Sequence, residues 1–94
     1  MFVIAEHRIS NPEAFANAVK NAMPSVPSDL KLHQVLPNAD GSSSVCLWEG
    51  DSVEKVRQVV EATVGQFSSN TYFEVAAKSA IGLPTSSREV SRGA

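Results

Sequence analysis

Ninety-four residues make one domain, and a chain of this length buries only about two-thirds of its unfolded surface, so self-association is an expected way to gain core. The composition is 43% hydrophobic and 19% charged with a formal net charge of −2, which predicts a soluble protein without the basic footprint of a nucleic-acid or anionic-membrane binder. Cys46 is the single cysteine, so an internal disulfide framework is excluded, and the chain opens on a strand pattern without a basic and apolar signal segment, which predicts a cytoplasmic protein.

Residues 2–9 (FVIAEHRI) form a β-former run that is apolar on both faces before Glu6, His7 and Arg8, as a central strand would be. Asn11, Pro12 and Glu13 then supply an N-cap, a proline for the first helical position and an acid that complements the helix dipole. Ala14, Phe15, Ala18, Val19, Ala22 and Met23 recur at helical spacing until Pro24 and Pro27 stop the helix. Residues 30–36 (LKLHQVL) alternate as a second strand, and Asp40-Gly41 marks a hairpin into a third strand over residues 45–49. A two-residue turn would set His33 opposite Trp48 and Val35 opposite Cys46, while a four-residue loop over 38–41 shifts the pairing by two and preserves the faces. Both registers predict His33, Cys46 and Trp48 on one face, with Leu32, Val45 and Leu47 on the other.

Asp51 with Glu54 has the form of a capping box, Val53, Val56, Val59, Val60 and Val64 make one helical stripe, and Gly65 offers a left-handed end. Valine is a mediocre helix former, so this helix must be held by packing on a sheet. Residues 66–70 read as a polar connection and 71–77 (TYFEVAA) as a fourth strand. Periodicity is lost after residue 78, which predicts a domain over 1–78 and a C-terminal tail over 79–94.

The predicted fold is α+β, a ferredoxin-like βαββαβ chain with a four-stranded antiparallel sheet and both helices on one face. The uncovered face is predicted to carry His33, Val35, Cys46, Trp48 and Tyr72, and such a face is covered most simply by a second copy, giving a homodimer. The segments EHRIS, LHQV and, above all, VCLWEGDSVEKVRQVVE resemble the small bacterial dimeric α/β-barrel proteins, among them uncharacterised and nickel-binding-like domains. The resemblance spans about residues 2–75 and implies a dimeric barrel with a ligand in its cavity.

Within that cavity the expected ligand-binding residues are His33, Cys46, Trp48, Tyr72 and Glu74, two aromatic walls with an imidazole and a carboxylate between them. His7, His33 and Cys46 are the candidate metal ligands; they come from three strands without a CxxC or HxxxH element, so a site requires convergence in the fold. No Ser-His-Asp set, phosphate loop or dinucleotide fingerprint is present. Three functions fit these residues: a ligand-binding dimer that could be metal-linked, a cofactor-independent monooxygenase or isomerase with His33 as base, and a structural interaction module.

Overall fold

The strand that reads as apolar on both faces takes the interior of the sheet. In a computed structural model, which describes residues 1–85, β1 (Phe2–Ile9) lies between β3 (Ser43–Glu49) and β4 (Ser68–Glu74), and β2 (Lys31–Pro37) flanks β3. All pairings are antiparallel in the order β2-β3-β1-β4, with helices α1 (Pro12–Ala22) and α2 (Val53–Val64) in the two connections. The result is an α+β domain compatible with the ferredoxin-like arrangement. No helix among the described residues is long and apolar enough to cross a membrane.

Helix α1 starts as its sequence predicts, with the Asn11 side chain accepting from the Ala14 N–H at 3.1 Å and Pro12 in the first turn. It ends in a 3-10 turn at Met23–Ser25. Helix α2 departs from expectation at both ends. Its cap is Ser52, whose hydroxyl accepts from the Lys55 N–H at 3.1 Å, because Ser52 is the extended residue and Asp51 lies one position too early. Gly65 is right-handed, with φ of −56°, yet glycine is still required there: a Cβ would stand 2.5 Å from the Glu61 carbonyl oxygen.

Strand β4 begins at Ser68 and not at Thr71, because β1 runs on to Ile9 and pairs with Ser68, drawing three polar residues into the ladder. The β2–β3 connection is closed by the Asn38 N–H donating to the Ser43 carbonyl at 2.9 Å, and Gly41 supplies the left-handed residue at φ of +77°. Beyond the turn, Val35 stands opposite Cys46 as predicted. The ladder then shifts: Gln34 faces Leu47 and Leu32 faces Trp48, leaving His33 as the extra residue of a β-bulge.

That bulge, with the placement of the helices, corrects the predicted faces. Cys46 and Trp48 lie under the helices in a core with Val3, Ala5, Phe15, Leu30, Val56, Val60 and Val64, and Leu32 packs with them. They are not on the uncovered face. The helix-free face carries Phe2, Ile4, Val45, Leu47 and Phe73, joined by Leu36 opposite Val45. Phe73 remains 49% exposed and Leu36 57%.

Gly50, between β3 and α2, lets the loop before β2 close on the core, since a Cβ there would meet the Leu30 side chain at 2.4 Å. Leu30 is buried against Val56 and cannot simply swing away. Gly50→Ala is therefore expected to cost about 1–3 kcal/mol of stability, read from the urea midpoint. After β4, the Val75 N–H donates to the Phe2 carbonyl at 2.9 Å, and a turn follows over residues 76–80. The predicted tail starts in this stretch, and its residues 86–94 lie outside the described residues.

Candidate functional site

The structure divides the predicted site residues between the two faces of the sheet. His33 alone is on the helix-free side, where the bulge turns it toward the end of β3. Its Nε2 lies 2.9 Å from Glu49 Oε1, with the two side chains 6% and 8% exposed, and the Phe2 ring stands 5.5 Å away at a tilt of 50°. Facing a carboxylate, Nε2–H donates, so in the neutral ring Nδ1 is the nitrogen left to accept a proton. Glu49 is the partner of His33 that the sequence pattern does not single out, since it closes β3 at the far end of the chain's hairpin.

Farther along the same face is a groove of about 610 Å³ lined by Glu6, Arg8, Leu36, Val45, Ser69 and Thr71 among others. Phe2 and Glu6 are separated by about 13 Å along a strand, so the groove and the His33–Glu49 pair occupy opposite ends of one apolar surface. The groove joins a carboxylate, a guanidinium and hydroxyls to an aliphatic floor, which suits a small amphipathic molecule.

On the helix side, His7 and Tyr72 meet in a network that ties β1 and β4 to α2. His7 Nδ1 donates to Asn70 Oδ1 at 2.6 Å, Asn70 Nδ2 donates to Glu61 Oε2 at 2.8 Å, and the Tyr72 hydroxyl donates to the same Glu61 oxygen. Ser68 Oγ also donates to Asn70 Oδ1 at 2.7 Å, and the His7 ring meets Phe15 edge-on at 5.1 Å. Asn70 and Glu61 were not legible as site residues, since Asn70 reads as part of a loop and Glu61 as the solvated face of a helix. Glu74 pairs with Val3 at the exposed sheet edge, apart from His33.

Burial holds the His7 imidazole below its ordinary range, against the Asn70 hydrogen bond and the Glu61 charge, which raise it. Hydrogen bonds from Tyr72 and Asn70 lower the Glu61 carboxyl, while burial and Glu61 together push the Tyr72 phenol up. Burial pushes the Cys46 thiol up to about 11, so it stays protonated at neutral pH. His7 and Cys46 are separated from His33 by the sheet, and among the described residues no three His, Cys, Asp or Glu side chains come together as a metal site. The convergence that the metal candidates require does not occur.

The His7 shift has a defined sign in stability. With the folded value below the ordinary 6.5, the unfolded chain binds more protons in the window just beneath pH 6.5. Stability is complete above that value and is lost as the pH falls through the window. The urea midpoint is expected to drop between pH 7.5 and pH 5.5, and His7→Gln should flatten this slope; Glu61, lowered from 4.5, contributes its own loss only at more acid pH.

Compared with known protein families, with characterised proteins and with solved structures, the chain matches none. The resemblance carried by EHRIS, LHQV and VCLWEGDSVEKVRQVVE therefore rests on those residues alone.

Proposed function

We propose that the protein is a homodimer in which two helix-free sheet faces pair, as in a dimeric α/β barrel, and that the enclosed space receives a small organic molecule. The observation that carries this reading is the apolar surface opposite the helices, where Leu36 and Phe73 remain exposed beside Ile4 and Val45, and Leu36 and Val45 border the groove. A sheet covered on one side by helices buries its other face only against another layer, and a second copy supplies one. The interface differs from the one predicted by the sequence: Ile4, Leu36, Val45 and Phe73 replace Val35, Cys46 and Trp48. Glu6 and Arg8 would orient the ligand.

Sedimentation analysis should give the wild type twice the 10.0 kDa protomer mass. Leu36→Glu combined with Phe73→Glu should give a monomer with an unchanged circular dichroism spectrum. A wild type that sediments as a monomer at high protein concentration removes the reading.

The His33–Glu49 pair favours a second one, proton transfer without a cofactor, as in a monooxygenase or isomerase. Glu49 would fix the orientation and tautomer of the imidazole, while Nδ1 accepts a proton from an acidic C–H or O–H of the ligand.

A further inference from the structure

A second cavity lies on the opposite side of the sheet, between α1, α2 and the strands. Its walls are Phe15, Val19 and Ala22 of α1, Val59 and Thr63 of α2, and Trp48 on the floor, with Met23 and Val26 at the rim. The walls are mostly apolar, and the polar side chains among them are accounted for: the Thr63 hydroxyl donates to the Val59 carbonyl at 2.8 Å, His7 Nδ1 is bonded to Asn70, and the Cys46 thiol stays protonated. One polar group is unmatched. Trp48 is 6% exposed and its indole N–H has no hydrogen-bond partner. A buried donor left in this state costs about 1–3 kcal/mol, and native proteins rarely retain one without a water or ligand to accept from it.

We infer that this cavity is a binding site for a small uncharged apolar molecule carrying one hydrogen-bond acceptor, a ketone or ester, which accepts from Trp48 Nε1–H. The mostly apolar walls disfavour ions, and the unpartnered Trp48 N–H selects for an acceptor. At rest the cavity measures about 30 Å³, room for a water molecule, so a larger guest has to spread its walls. The elements around it are suited to that. Phe15 is the only buried residue of α1, and Met23, an unbranched and flexible side chain, stands 45% exposed at the rim. The site lies on the other side of the sheet from the proposed dimer interface and does not depend on it.

Trp48 is the only tryptophan, so the protein has a single indole N–H resonance with which to test the assignment. Titration with cyclopentanone should shift that resonance downfield in a saturable manner, and cyclopentane should not, although both should perturb backbone amides around Val19 and Val59. Ala22→Leu, which fills the cavity from a half-buried helical position, should abolish the cyclopentanone response; Thr63→Ile serves the same purpose if Ala22→Leu fails to fold. The inference is overturned if the resonance shows no saturable shift up to the solubility of the ketone, or if ketone and hydrocarbon act alike on it. It is equally overturned if the indole proton shows contact only with a water that the ketone does not displace.

Discussion

Trp48→Glu is expected to unfold the chain outright and not to split a dimer. Trp48 is packed among Val3, Val56, Val60 and Leu32 beneath the helices. Losing the indole alone costs about 3–5 kcal/mol. A carboxylate in its place adds a desolvation penalty of several kcal/mol, against a total stability of about 5–15 kcal/mol that a short chain meets at its low end. Far-UV circular dichroism and proton chemical-shift dispersion should both collapse, whereas Leu36→Glu on the exposed edge strand should leave both signatures of a folded protomer in place. A soluble, folded monomer from Trp48→Glu would mean that Trp48 belongs to the helix-free face and that the strand register given above is wrong.

The next largest effect is expected at the buried His33–Glu49 hydrogen bond. His33→Leu removes the imidazole hydrogen bond from the Glu49 carboxylate in a site 7% exposed, a change that costs about 1.5–3 kcal/mol. Glu49→Leu should be comparably damaging, but the double substitution His33→Leu/Glu49→Leu should recover much of the loss, since it replaces two buried polar groups by packed methyls beside Phe2 and Leu47. Urea unfolding of the three variants closes a double-mutant cycle. Strictly additive losses would show that the two side chains are not coupled and would remove His33–Glu49 as an organised pair.

The sequence carried the element types and their order, because each rests on a local signal: Asn11-Pro12 for the start of α1, the valine stripe for α2, Asp40-Gly41 for the hairpin. It did not carry the faces. Strict alternation through residues 30–36 places His33 with Cys46 and Trp48, and nothing in LKLHQVL announces the extra residue that moves it to the other side. The valine stripe shows that α2 packs on a sheet but not on which face, and both faces of β3 are apolar, Cys46 and Trp48 on one and Val45 and Leu47 on the other. The pairs of Glu49 and Asn70 are not legible for a related reason: their partners, His33 and His7, are distant in the chain, and each pair exists only once β2 is aligned with β3 and β1 with β4.

The bulge at His33 also bears on how this sheet meets other chains. In the order β2-β3-β1-β4 the free edges belong to β2 and β4. Strand β2 is a poor template for a further strand, broken at His33 and ended by Pro37, which has no N–H to offer. Strand β4 has neither obstacle over Ser68–Glu74. Lateral growth of the sheet is thus open in one direction only, and two molecules joined edge to edge through β4 would present nothing but interrupted β2 edges to a third, so that strand addition ends at a pair instead of running on into a fibre.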